Sequence, residues 1–98
     1  MKDFHGKIAV ITGAGTGMGR ELARQLAAEE CNLALCDIHP ENIEETARLC
    51  AEASSGSIRV TTHLADVSDE SDLIAFREAA LGEHQTEHVN LVFNNAGI

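Results

Sequence analysis

Two kinds of segment alternate along the chain: short continuous apolar runs and longer amphipathic stretches. The short runs, rich in β-branched and small apolar residues, are typical of strands buried in a parallel sheet. The longer stretches carry apolar residues at intervals of three and four, the spacing of a helix with one buried face. The pattern predicts four strands, at about 7–12, 32–37, 58–65 and 89–94, which alternate with three helices.

Local signals set the limits of the predicted helices. The first helix is expected from Gly17 to about Glu30, and the second from Pro40, which suits a first turn, to the Ser-Ser-Gly segment at 54–56. Ser68 is a plausible N-cap for the third helix, which we expect to end at Gly82. The predicted inner face of the second helix comprises Ile43, Ala47, Cys50 and Ala53.

Alternation of strands and helices predicts right-handed βαβ crossovers and a parallel, doubly wound α/β sheet. We expect the spatial strand order 3-2-1-4, with the third strand near an edge because its residues alternate in polarity. A ligand crevice is expected where the order reverses, at the carboxyl ends of strands one and four. The glycine-rich turn after strand one and the segment 94–97 after strand four both lead into that crevice.

The glycine-rich turn is Thr12-Gly13-Ala14-Gly15-Thr16-Gly17-Met18-Gly19. Neither G-x-G-x-x-G nor a P-loop fits this segment, whereas Thr-Gly-x-x-x-Gly-x-Gly does. The N–H groups and the dipole at a helix start favour an anion, and glycine allows a pyrophosphate to approach closely. The turn therefore predicts a phosphate site, and a glycine-rich turn that binds nothing is the alternative.

Asp37 ends the second strand, 18 residues after Gly19. A carboxylate there accepts hydrogen bonds from the hydroxyls of an adenosine ribose and repels a 2′-phosphate. Thr16 and Ile38, where a basic partner for that phosphate would be expected, are uncharged. The position favours NAD over NADP; an aspartate that only caps a strand end facing water is the alternative.

Two further polar segments end strands at the same edge. The carboxylate of Asp66 could take the adenine amino group, with Val67 as an apolar flank; a turn aspartate that leads into Ser68 is the alternative. Asn94 and Asn95 end a buried strand, where unpaired amides are costly. We expect one of them to tie strand four to its neighbour and the other to face a cofactor ribose.

Charge and cysteine content narrow the class of protein. A net charge of −9 argues against a general nucleic-acid or anionic-membrane surface, so an anionic dinucleotide would have to be bound locally by backbone amides. The chain has no membrane-length apolar run, and no apolar segment of a secretory signal follows Met1. Cys31, Cys36 and Cys50 form no C-x-x-C pair and are expected to be buried reduced thiols, which favours the cytoplasm.

One metal motif is discounted. His84-Gln85-Thr86-Glu87-His88 matches H-x-x-E-H, but that motif requires a helix with both imidazoles on one face, and a strand is predicted to begin at Val89. We therefore predict a solvated helix end and no metal site.

Taken together, these motifs resemble the short-chain dehydrogenase/reductase family. The turn, Asp37, Asp66-Val67 and Asn94-Asn95-Ala96-Gly97 stand in the family's order and approximate spacing, and Phe4-x-Gly6-Lys7-x-Ala9-x-Ile11 is similar to its usual start. The resemblance covers essentially the whole chain and implies a Rossmann-type fold. The residues that it implies for NAD binding are Gly13, Thr16, Gly17, Met18 and Gly19 at the pyrophosphate, Asp37 at the adenosine ribose, Asp66 and Val67 at the adenine, and Asn95, Ala96 and Gly97 at the nicotinamide-side ribose.

The family's catalytic groups, an asparagine, a serine, and a tyrosine with a lysine four residues on, lie beyond the Asn-Asn-Ala-Gly loop. This chain has no tyrosine and ends at Ile98. We therefore expect residues 1–98 to form the N-terminal part of a single NAD-binding domain, truncated after strand four, with no catalytic residue and no turnover of its own.

The resemblance implies a parent enzyme that transfers hydride between NAD(H) and an alcohol or ketone and that forms homo-oligomers. A non-catalytic nucleotide-binding or interaction module, such as a truncated isoform, is one alternative. A family member that catalyses epimerisation or elimination is another.

Overall fold

The structure, a computed structural model, describes residues 4–86 and 89–95. Its elements in chain order are β1 (Ile8–Thr12), α1 (Gly17–Ala28), β2 (Asn32–Asp37), α2 (Pro40–Ala53), β3 (Val60–Leu64), α3 (Glu70–Glu83) and β4 (Leu91–Asn94). All seven predicted elements are present. Strands β3 and β4 each begin two residues later than predicted, and α1 ends before Glu30, which has a positive φ of 64°.

The four strands form one sheet in the order β3-β2-β1-β4, with every neighbouring pair parallel. This order confirms the predicted topology and places β3 at an edge of the described sheet. In the register, Thr12 lies between Cys36 of β2 and Asn94 of β4. The carboxyl ends of the central strands therefore meet at one edge, where the polar segments of the sequence were expected to converge.

The core lies on both faces of β1 and β2. Ile11, Leu33 and Leu35 pack on one face with Leu26 of α1 and with α2, in a cluster that excludes water. The intervening residues Val10, Ala34 and Cys36 point to the other face, where Phe76 and Ala80 of α3 cover them. Successive strand residues face opposite sides of a sheet, so the continuous apolar runs follow directly from burial on both sides.

The buried face of α2 differs from the prediction at two positions. Ile43 and Cys50 are buried and Ala47 is half-buried, as predicted, but Ala53 is exposed at the last turn. Thr46 is fully buried in its place among the inner residues. With 3.6 residues in each turn, a stripe through positions 43, 46 and 50 continues the contact face, and the polar character of threonine concealed it in the sequence.

The N-cap of α3 is Asp69 and not Ser68. The Oδ1 atom of Asp69 accepts hydrogen bonds from the backbone N–H groups of Ser71 at 2.8 Å and Asp72 at 3.2 Å. Ser68 instead donates two hydrogen bonds to Asp66, one from its backbone N–H and one from its hydroxyl. The helix continues past Gly82 to Glu83, with His84 as C-cap.

We expect Asp69→Ala to lower the free energy of unfolding by about 1 kcal/mol, because two N–H groups of the first turn lose their acceptor. Ser68→Ala, at the position first predicted as the cap, should change it by less than about 0.5 kcal/mol. Urea titration followed by circular dichroism measures both. A larger effect at Ser68 than at Asp69 would contradict the observed capping.

Candidate functional site

A cleft of about 680 Å³ opens at the carboxyl edge of the sheet. It is bordered by the turn between β1 and α1 and by the segments that follow β2, β3 and β4. Nine of the eleven residues predicted for NAD binding line it, and the other two, Ala96 and Gly97, lie outside the described residues. Those nine residues are Gly13, Thr16, Gly17, Met18, Gly19, Asp37, Asp66, Val67 and Asn95.

The glycine-rich turn presents the start of α1 to the cleft. Thr16 is the N-cap residue in extended conformation, but its side chain makes no capping hydrogen bond, and the first turn carries no acidic residue. The first N–H groups of a helix lack intrahelical partners, and the helix dipole adds positive potential there. The start of α1 is therefore suited to receive an anionic group from the cleft.

Asp37 is half-buried beside this turn and is held by three backbone N–H groups. Its Oδ2 atom accepts from Gly15 at 2.8 Å, and its Oδ1 atom accepts from Ile38 at 2.7 Å and His39 at 3.1 Å. The bonds from Ile38 and His39 cap the end of β2, which is the alternative role predicted for Asp37 from the sequence. The same carboxylate also lines the cleft.

Gly15 was not singled out by the sequence, yet it is required for this arrangement. A Cβ atom at this position would lie 2.7 Å from Oδ2 of Asp37 and 2.9 Å from Cβ of Asn42. A side chain at Gly15 would therefore displace the carboxylate from the turn.

Among the described residues that line the cleft, none is lysine or arginine. Arg20 follows the glycine-rich turn directly, but its guanidinium is directed to α2. Its Nε atom donates to the Thr46 hydroxyl at 2.9 Å and its Nη2 atom to the carbonyl of Asn42 at 3.0 Å. The Arg20 guanidinium therefore does not neutralise the Asp37 carboxylate that lines the cleft.

At the end of β3, Asp66 forms a local turn. Its Oδ1 atom accepts hydrogen bonds from the backbone N–H of Ser68 at 3.0 Å and from the Ser68 hydroxyl at 2.6 Å. These bonds lower the pKa of the Asp66 carboxyl. Asp66 thus has the turn role given as the alternative in the sequence, and with Val67 it also lines the cleft.

The two asparagines at the end of β4 have different surroundings. The Thr12 hydroxyl donates to Oδ1 of Asn94 at 2.8 Å and accepts from the backbone N–H of Asn95 at 3.2 Å. Asn94 therefore ties β4 to β1, which confirms half of the prediction. The Nδ2 atom of Asn95 is buried at the cleft without a hydrogen-bond partner among the described residues. A buried amide donor of this kind suits a ligand that offers an oxygen.

The three cysteines and His84 add no reactive group to the cleft. Cys31, Cys36 and Cys50 are buried free thiols, and burial raises the pKa of each to about 11, so they remain neutral. His84 at the end of α3 lies with its Nε2 atom 2.8 Å from the Thr61 hydroxyl. Glu87 and His88 of the segment lie outside the described residues.

The histidines between β3 and α3 make stability depend on pH. Burial lowers the pKa of both His63 and His84 below the ordinary 6.5; Glu83 opposes this shift at His63, and Arg59 reinforces it at His84. At low pH the unfolded chain therefore binds more protons than the folded chain. The stability that the two neutral histidines contribute is complete above pH 6.5 and is lost as the pH falls through their folded pKa values.

We expect the urea concentration at the unfolding midpoint to decrease as the pH is lowered from about 7.5 to about 5.5. A double variant with His63→Gln and His84→Gln should show a weaker dependence of the midpoint on pH. The control variant His39→Gln, at an exposed position, should show the same dependence as the parent chain. Equal slopes in all three proteins would rule out the two buried histidines as its source.

Comparison with known proteins identifies relatives along the whole chain. The sequence model of the short chain dehydrogenase family matches residues 7–98. Epidermal retinol dehydrogenase 2 of Homo sapiens is 39% identical over 97 residues, which are 99% of this chain and 30% of that protein. Levodione reductase of Leifsonia aquatica is 37% identical over 95 residues, which are 97% of this chain and 34% of the reductase. The chain spans about a third of the length of these relatives.

Solved structures share the fold as well. A short chain dehydrogenase/reductase from Burkholderia phymatum in complex with NAD matches with a TM-score of 0.86 at 37% identity, covering 100% of this chain and 33% of that one. A metagenomic short-chain oxidoreductase in complex with NADP matches with a TM-score of 0.85 at 27% identity, covering 99% of this chain and 42% of that one.

None of the helices in the described part of the chain has the length and hydrophobicity of a membrane span. By sequence and by fold, the chain belongs to the short chain dehydrogenase family.

Proposed function

We propose that this chain is the cofactor-binding part of an NAD-dependent short-chain dehydrogenase/reductase, and that residues 1–98 belong to one NAD-binding domain. The observation that carries the proposal is Asp37: its carboxylate is fixed at the glycine-rich turn and lines a cleft in which no described residue is lysine or arginine. A ribose with free hydroxyls suits this carboxylate, whereas the 2′-phosphate of NADP would meet a negative charge with no lysine or arginine among the described lining residues.

Each border of the cleft has a separate task in this proposal. The first N–H groups of α1 hold the pyrophosphate, Asp37 accepts from the adenosine ribose hydroxyls, and Asp66 and Val67 border the adenine. The buried Nδ2 atom of Asn95 donates toward the ribose next to the nicotinamide, together with Ala96 and Gly97. Because the chain has a net charge of −9, binding of a dinucleotide depends on these local donors.

The reaction that we propose for the whole enzyme is oxidation of an alcohol or reduction of a ketone, in which bound NAD supplies the hydride acceptor or donor. The family's acid–base tyrosine has no counterpart among these residues, because the sequence contains no tyrosine. We therefore propose that the 98 residues alone bind cofactor without turnover. A small-molecule substrate, a homo-oligomeric parent enzyme and a cytoplasmic location remain predictions.

Titration of the ¹⁵N-labelled chain with NADH tests the proposed site directly. We expect the largest changes in amide chemical shift at Gly13, Gly17 and Asn95, which line the cleft. Arg59, which lies outside the cleft lining, serves as the internal reference. Chemical-shift changes confined to Arg59 and its neighbours, or no chemical-shift change at a large excess of NADH, would refute the proposal.

A further inference from the structure

One peptide plane joins the glycine-rich turn to the proposed ribose-binding carboxylate. Its N–H belongs to Gly15 and donates to Oδ2 of Asp37 at 2.8 Å. Its carbonyl belongs to Ala14 and accepts from the Thr46 hydroxyl, also at 2.8 Å. The carbonyl and the N–H of one trans peptide bond point in opposite directions, so whatever fixes the carbonyl also fixes the N–H that holds Asp37.

Thr46 is well placed to fix that carbonyl. It is fully buried on the inner face of α2, so water does not compete for its hydroxyl. The hydroxyl has one proton, and Ala14 offers the nearest acceptor, since the carbonyls of Asn42 and Gly15 lie farther away at 3.2 and 3.3 Å. The Thr46 oxygen in turn accepts the Nε–H of Arg20 at 2.9 Å, which leaves its proton directed to the turn.

We propose that Thr46 is a positioning residue for NAD recognition, acting through the peptide plane between Ala14 and Gly15 on the Asp37 carboxylate. This inference rests on the proposed function and adds a determinant outside the cleft, because Thr46 does not line it. Without the hydroxyl, the carbonyl of Ala14 would be buried without this donor, and rotation of the peptide plane would turn the Gly15 N–H away from Asp37.

Because Asp37 is the group that distinguishes a ribose hydroxyl from a 2′-phosphate, loss of the Thr46 hydroxyl affects discrimination and not only affinity. A purely structural role of Thr46 would weaken NADH and NADPH binding in parallel. A positioning role changes the ratio of the two dissociation constants, since only NADH uses the oriented carboxylate.

The test compares Thr46→Val, which keeps the shape and removes the hydroxyl, with Thr46→Ser, which keeps the hydroxyl. Calorimetric titration should show the ratio of the NADPH to the NADH dissociation constant falling roughly fivefold in Thr46→Val and little change in Thr46→Ser. In a protein that already carries Asp37→Ala, Thr46→Val should leave the ratio unchanged. Thr62→Val is the matched control, because the Thr62 hydroxyl donates to Glu44 of the same helix and neither residue lines the cleft.

Amide hydrogen exchange tests the same inference without cofactor. Exchange at Gly15 should be faster in Thr46→Val than in the parent chain or in Thr46→Ser, after correction for global stability measured in urea. If Thr46→Val does not fold, Thr46→Ala removes the same hydroxyl and is measured in its place.

The outcomes separate the two proposals. Unchanged Gly15 exchange in the hydroxyl-free variant, or a parallel loss of affinity for both cofactors, would overturn the role of Thr46. A parent chain that protects Gly15 from exchange but binds neither NADH nor NADPH would instead overturn the proposed function.

Discussion

Replacement of Gly19 by alanine is expected to prevent stable folding of the chain. A Cβ atom on Gly19 would lie 2.1 Å from the carbonyl oxygen of Gly13 and 2.9 Å from its carbonyl carbon, whereas real Cβ contacts essentially never fall below 3.0 Å. The obstructing atoms are backbone, so no side-chain rotation relieves the clash. Helix α1 would have to move away from β1, which opens the core around Ala23 and Leu26.

We expect this substitution to cost at least about 4 kcal/mol, a large part of the stability of a small domain. Gly82→Ala is the matched control, because a Cβ at that position of α3 meets no atom within 4 Å. Alanine should stabilise α3 there by roughly 0.5–1 kcal/mol. Urea unfolding of both variants measures the contrast, and a Gly19→Ala protein with the parent midpoint would contradict the close packing of α1 on the turn.

Replacement of Asp37 by alanine is expected to remove the proposed preference for NAD. The carboxylate is proposed to accept hydrogen bonds from two ribose hydroxyls, and bonds to a charged group contribute about 1.5–3 kcal/mol each. The dissociation constant for NADH should therefore rise by at least about a hundredfold. Binding of NADPH should be unchanged or tighter, because the negative charge facing its 2′-phosphate is gone.

Glu41→Ala is the control for this substitution. It removes the same charge from the exposed first turn of α2, outside the lining of the cleft. It should leave the ratio of the two dissociation constants at the parent value. Since Asp37 also closes its own strand end through two N–H groups, unfolding in urea is measured for each variant and binding is compared where all are folded. An equal fall in NADH and NADPH affinity would show that Asp37 is structural only.

Most of the fold could be predicted from the sequence because its signals are local. The apolar runs at 8–11 and 33–36 have the pattern of strands buried on both faces, and a parallel strand order follows from the crossovers. One error, at the start of α3, occurred where two neighbours competed for one role. Ser68 and Asp69 are both good N-caps, and only the bonds between Ser68 and Asp66 decide in favour of Asp69.

The cleft lining was predictable because the residues that form it end consecutive strands. The supporting contacts were not predictable in the same way. Gly15 is one of several glycines in the turn, and its closeness to Asp37 depends on how β1 and β2 pair. Thr46 interrupts the apolar face of α2, and a polar residue on an inner face was the signal that could have identified it. Its partners, Ala14 and Arg20, lie 32 and 26 residues away in the chain.

We propose that the cleft at the glycine-rich turn selects NAD through Asp37. Parallel calorimetric titrations of the unmodified chain with NADH and NADPH, at the same ionic strength, test it most directly. We expect one site that binds NADH at least about tenfold more tightly than NADPH. Equal or tighter binding of NADPH would contradict it.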